Sequence, residues 1–227
     1  MVISVLIVVK KSSRNGFSLV ELIVVMGIMV ILLVMGTALF KSVGRGESRE
    51  AVRSLVLGGL TNAQTRAVSS GEAVAMVMMP YEEGRVDQLG RSFTLFEVNH
   101  DDVTGSFTAG KQLRRWAVLP GRFVFSRGST VSASGQNAYA QPNVVSVSIR
   151  QGDGLGRGAI EMPAIIFGGA GNVIWPSGEA ELELHLMEGK IVDGKVTATS
   201  VGNDEWQKRE VIVIGRQTGR ARYLQTQ

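Results

Sequence analysis

The chain has 227 residues, 44% of them hydrophobic, a net charge of +4 from 24 bases against 20 acids, and no cysteine. That length accommodates one globular domain of ordinary size plus accessory segments, and the lack of cysteine excludes disulfide staples, thiolate catalysis and cysteine-ligated metal. Without the three bases Lys10, Lys11 and Arg14 and without Glu21, residues 41–227 carry 21 bases against 19 acids, which excludes a dominant polyanionic partner.

Those three bases precede an apolar run from Gly16 to Phe40, GFSLVELIVVMGIMVILLVMGTALF. Leu22 to Phe40 contributes nineteen residues without an ionisable side chain. At ~1.5 Å of rise per residue this nearly spans a ~30 Å hydrocarbon core, and Phe17 to Leu19 complete it, so the pattern predicts a membrane-spanning helix. Glu21 lies inside the run, where a lone carboxylate costs on the order of 1–3 kcal/mol unless it finds a partner. The run is too long for a cleaved secretory signal and lacks a small-residue cleavage site. The plain alternative is an uncleaved signal anchor with a stray glutamate.

The residues KKSSRNG followed by FSLVEL resemble the class III leader and cleavage site of type IV pilins and type II secretion pseudopilins. The resemblance implies that a prepilin peptidase cuts between Gly16 and Phe17 on the cytoplasmic face and methylates the new Phe17 amine. It further implies that Glu21, fifth in the mature chain, meets the Phe17 amine of a neighbouring subunit in a filament. Electrostatics agree, because a buried carboxylate requires a cationic partner. The leader bases favour a cytoplasmic amino terminus and an external globular domain; Lys41 and Arg45 weaken that bias, but a long folded segment translocates largely regardless of such charges. Met1 to Val9, MVISVLIVV, departs from the short basic leaders of this family, and translation is expected to start at Val8 or Val9. Major pilins usually carry a proline in this helix, whereas here only Gly27 and Gly36 are weak points.

Gly44 and Gly46 are expected to loosen or kink the helix as it leaves the membrane. From Glu47 onward Val52, Val56, Gly59, Ala63 and Ala67, with Leu55 and Leu60 beside them, recur at helical spacing, and Gly71 supplies a stop. Residues 17–70 therefore read as one long helix. Beyond it the pattern alternates, giving ten expected strands: Ala73–Met79, Ser92–Val98, Arg115–Leu119, Arg122–Ser126, Val144–Ile149, Ala164–Phe167, Glu179–Met187, Lys195–Thr199, Glu210–Ile214 and Arg220–Leu224. Residues 99–112 and 127–143, rich in Gly, Ser, Thr and Asn, are expected to be long mobile loops. The fold class is α+β, a membrane-spanning helix packed against an antiparallel β-sandwich, the ten strands arguing for a sandwich or two packed sheets. The segments LVLGGLTNAQTRAV, AIIFGGAGNVIW, ELELHL and VIVIGRQTGRARY are similar to those of the minor pseudopilin H, or FimT, group.

Little else carries chemistry. Gln151 to Gly158, QGDGLGRG, has overlapping G-x-G patterns but no following helix to bind an anion, and reads as a hairpin loop. His100, Asp101 and Asp102 are adjacent and cannot easily face one ion, so a solvated loop is favoured over a metal site. His185 alternates in phase with Glu179, Glu181 and Glu183, which reads as an exposed polar face rather than an acid–base pair. Trp116, Trp175 and Trp206 read as core or rim packing. Arg220 and Arg222 share a strand face, with Arg216 across the turn, a fork able to grip phosphates. Gly219-Arg220-Ala221-Arg222 resembles the Gly-Arg-x-Arg ending associated with DNA binding in minor pilins of DNA uptake. A solvated edge strand guarded by charge is the alternative.

Together these readings give an assembly subunit rather than an enzyme, without cofactor or metal. Residues 1–16 form a leader, 17–40 a transmembrane and assembly helix, 41–70 its amphipathic continuation and 71–227 a periplasmic β-rich domain. The expected location is the bacterial inner membrane, crossed once, and then a filament. Expected partners are other pseudopilins or pilins through the helix, the prepilin peptidase and methyltransferase, and inner-membrane lipid. Nucleic acid is a partner only in the DNA-uptake alternative.

Overall fold

A computed structural model of the chain describes residues 19–81, 88–101, 106–128, 135–140, 144–149, 158–192, 195–198 and 209–224, with side chains described in α1 for Leu19–Leu32 and from Ser48 onward. The chain divides into two compact units, Met1–Gly46 and Glu47–Gln227. Helix α1 is Leu19–Ser70, and its helical backbone continues through Gly44 and Gly46. Among the described residues no helix is long and apolar enough to cross a membrane. At ~1.5 Å per residue the stretch with described side chains, Leu19 to Leu32, is about 21 Å long, short of a ~30 Å core, whereas the uncharged sequence continues to Phe40.

In the second unit α1 buries the stripe that its spacing predicts. Val52, Val56, Leu60, Ala63 and Ala67 are fully buried, one residue per helical turn. The helix ends where Gly71 adopts a left-handed φ of 74° and its N–H bonds to Ala67 O at 2.9 Å, a conformation that glycine takes without a Cβ clash.

Thirteen strands follow among the described residues: β1 Val74–Met78, β2 Ser92–Asp101, β3 Ser106–Gln112, β4 Ala117–Val118, β5 Phe123–Ser126, β6 Gln136–Asn137, β7 Val144–Ile149, β8 Gly158–Phe167, β9 Val173–Trp175, β10 Leu182–Val192, β11 Lys195–Ala198, β12 Arg209–Ile214 and β13 Ala221–Leu224. They form a seven-stranded and a six-stranded sheet. In the first, β1 pairs antiparallel with both β2 and β8, so that Met76 faces Leu95 on one side and Ile165 on the other. The circuit β1-β2-β3-β7-β8 thereby returns to β1, closed by a parallel contact of Thr108 with Ser146. The second sheet runs β11-β10-β12-β13, with β5 and β6 also on β10.

Two sheets form, but the expected all-antiparallel pairing is corrected: the first sheet closes into a ring with a parallel β3–β7 contact, and β6 lies parallel to β10 in the second. The α+β class itself stands. Alternation along β1 explains why its run is apolar throughout, since both of its faces are covered. Ala75 and Val77, followed by Met79, join Val98, Val147, Met162 and Ile166 in a core on one face of the ring. Val74, Met76 and Met78 point the other way, into a core shared with Leu60 of α1 and with Phe125, Leu184 and Ile212 of the second sheet. Gly59 lets α1 approach closely there, because a Cβ at that position would lie 2.5 Å from the buried Phe93 ring.

Residues 99–112 are also corrected. The expected loop holds the end of β2 and all of β3, paired from Val98 opposite Ala109 to Asp101 opposite Ser106. Val144–Ile149 appears as expected, and β9 is an additional strand. Of the second expected loop, Gln136–Asn137 is β6, and residues 129–134 and 141–143 lie outside the described residues. So do residues 151–157, the bulk of the G-x-G segment, and Trp206.

Candidate functional site

Two regions carry the functional readings, the start of α1 and the β12–β13 hairpin. Gly16 and Phe17, the expected processing site, lie outside the described residues. Glu21 falls in the first turn of α1 and is exposed, as is every large apolar side chain from Leu19 to Leu32, at 45–76%. A helix apolar on all sides is built to be covered by lipid or protein. Glu21 would then lose its water, and a buried carboxylate needs a cationic partner.

The arginine fork does not form as a trio. Arg216 is 9% exposed and points inward from the turn, donating from Nε to Ala180 O, from Nη1 to Pro176 O and from Nη2 to Gln136 Oε1. Burial pulls its guanidinium below its ordinary pKa. Arg216 is thus a clamp joining the β9–β10 connection and β6 to the hairpin, and this corrects its reading as a solvent-facing phosphate contact. Arg220 is exposed, and Arg222 is exposed but ion-paired through Nη2 with Glu181 Oε2 at 3.2 Å. The fork that remains is Arg220 and Arg222.

Sequence reading missed the network on the opposite face of β13. Arg53 of α1 donates from Nε to Glu210 Oε2 at 2.7 Å and from Nη2 to Tyr223 Oη at 2.9 Å, with its guanidinium 4.0 Å from the Tyr223 ring centre. Glu210 is buried, and Arg49 stands 3.7 Å from its other oxygen. The hydrogen bond to Glu210 is the main cause raising the Arg53 pKa, while burial first and Glu210 second raise that of the Tyr223 phenol. Thirteen positions separate Glu210 from Tyr223 and 157 separate it from Arg53, so only the fold could reveal the network.

His185 and Glu183 are corrected as well. Both are fully buried, and His185 Nε2 lies 2.8 Å from Glu183 Oε2. β10 is an interior strand of its sheet, flanked by β5 and β12, and the burial of Glu183 and His185 shows that the face opposite Leu182, Leu184 and Leu186 is covered too. Gly135 packs onto Glu183 so closely that a Cβ would collide with its carboxylate. Burial is the leading cause lowering the His185 pKa; Glu183 opposes it and the nearby Arg209 reinforces it. The imidazole is therefore held neutral, and the pair acts as an interior polar contact.

His100 and Asp101 occupy the exposed end of β2, with the His100 ring 4.7 Å from that of Phe107, and Asp102 lies outside the described residues. Among the described residues no group of three or more His, Asp or Glu is arranged to hold a metal. Trp116 and Trp175 pack against the core on the ring's inner face, as their sequence reading expects.

Comparison with known proteins places the amino-terminal motif. Residues 11–37 match the family model described as the prokaryotic N-terminal methylation motif. The chain thus carries, at residues 11–37, a segment similar to the prokaryotic N-terminal methylation motif, in agreement with the class III leader expected from its sequence. It is also similar to the crystal structure of the type IV minor pilin FimU of Pseudomonas aeruginosa strain PAO1, at 14% identity and a TM-score of 0.41 over 80% of this chain and 91% of that one. No curated protein matches the chain.

Proposed function

We propose that this protein is a minor pseudopilin, a structural subunit of the periplasmic pseudopilus of a type II secretion system. In this reading residues 1–16 are removed by the prepilin peptidase, Phe17 is methylated, and residues 17–40 hold the subunit in the inner membrane until assembly. Residues 41–70 continue the helix, and residues 71–227 form the periplasmic domain that joins the filament near its tip. The observation that carries the reading is the methylation motif at residues 11–37, which runs into the exposed apolar start of α1, Leu19–Leu32, whose single acid is Glu21.

The second reading is a type IV minor pilin of DNA uptake, with Arg216, Arg220 and Arg222 as contacts. Burial of Arg216 and the Arg222–Glu181 pair weaken it, because neither guanidinium stands ready for a phosphate. Deleting the gene in its host and measuring both traits separates the two. The pseudopilin reading expects exported enzymes to accumulate in the periplasm while transformation continues. Intact secretion with lost DNA uptake would replace it with the second reading.

A further inference from the structure

We propose that β13 is a docking edge that takes an extended acidic segment of a partner protein as an added antiparallel strand. This inference does not rest on the secretion reading. β13 ends the order β11-β10-β12-β13, and among the described residues it pairs only with β12. Gly215 N–H bonds to Arg220 O at 3.0 Å, and the register then places Val213 opposite Arg222 and Val211 opposite Leu224. Hydrogen-bonded and non-bonded pairs alternate in an antiparallel ladder, so Arg220, Arg222 and Leu224 bond to β12 while the N–H and C=O groups of Ala221 and Tyr223 face outward. Those groups form a template for one more strand.

The side chains state which strand would fit. Tyr223 is fixed to α1 through Arg53, and Ala221 packs against the core, so the edge is held rigid on that face. Arg220 and Arg222 occupy the other face, both exposed, and Arg222 is in a solvent-exposed pair with Glu181 at 3.2 Å that an incoming carboxylate would share or displace, so Arg220 is the main anchor for an acid. An incoming residue opposite Arg222 would place its Cβ about 5 Å away on that face, and the residue opposite Arg220 lies two positions along. The fitting pattern is acid-x-acid. A second copy through this edge is disfavoured in the two registers that set Arg222 against Arg222 or Arg220, and in the third, with Arg222 opposite Leu224, it offers neither arginine an acid. The far edge of the same sheet, β11, is Lys-Val-Thr-Ala and offers no acid.

The test uses the full chain in detergent micelles and a capped nonapeptide alternating glutamate with valine. Binding is expected, with hydrogen exchange at the Ala221 and Tyr223 amides slowed about tenfold or more. Arg220→Ala with Arg222→Ala should weaken binding roughly three- to tenfold, while Arg222→Lys retains most of it. The lysine counterpart of the peptide and a version N-methylated at alternate backbone nitrogens should not bind. Equal binding of the N-methylated peptide would reduce the effect to charge attraction and overturn the proposal. So would protection of both amides before any addition, absence of binding by the acidic peptide, or the same protection produced by a short DNA duplex.

Discussion

Adjacent glycines on α1 should respond to the same substitution in opposite directions. A Cβ at Gly58 meets nothing within 4 Å, so Gly58→Ala gains helix propensity, about 1 kcal/mol, at no packing cost. At Gly59 the same Cβ would lie 2.5 and 2.9 Å from two atoms of the Phe93 ring. That ring is fully buried and sits edge-on to Phe125 at 6.4 Å, so it can retreat only by disturbing the core, an overpacking cost of about 1–3 kcal/mol. The propensity gain is common to both, so the difference between the two variants isolates the packing cost. For a domain of this size each kcal/mol moves Tm by roughly 2–4 °C, and Gly58→Ala should melt about 2–12 °C above Gly59→Ala. Thermal unfolding of the full chain in detergent, followed by circular dichroism, measures the gap. Gly59→Ala with Phe93→Leu should recover part of it, as expected for residues in contact. Equal stabilisation by the two alanines would refute the placement of α1 against Phe93.

His185 has a folded-state pKa below its ordinary 6.5, so the folded protein binds fewer protons. Its contribution is complete above that value and is lost as pH falls from 6.5 through the folded pKa; a Tm profile between pH 7 and 5 should therefore be steeper in wild type than in His185→Asn. Arg216→Ala should lower stability by about 1–3 kcal/mol, since it strands buried carbonyls at Pro176 and Ala180, which urea titration would register as a lower midpoint. Glu21→Val should insert and be cleaved normally yet be depleted from purified filaments, because the change favours lipid burial while removing the partner of a neighbour's amine.

What the sequence made legible was local. The leader, the buried stripe of α1 and the Gly71 stop depend on spacing within a few turns, and each can be read without knowing the fold. The β3 strand, SFTAGKQ, has Phe107 as its one large apolar residue and resembles a loop in composition; it becomes a strand because β2 lies beside it. Ring closure depends on β1 meeting β8, some ninety residues away, and leaves no periodic signal. Alternation along ELELHL separates two faces correctly but cannot say that both are dry, so the pattern alone puts Glu183 and His185 in water. Arg216 misleads for a related reason. A turn arginine looks solvent-facing until Pro176, Ala180 and Gln136 are brought beneath it.

The class III leader is the claim on which the functional account depends, and the mass of the mature amino terminus tests it most directly. In a host with an active prepilin peptidase, the protein recovered from membranes should begin at Phe17 with a methylated amine, and Gly16→Val should leave the uncut precursor in the membrane. A wild-type chain that retains residues before Phe17, or a Gly16→Val chain of normal mature mass, would contradict the account.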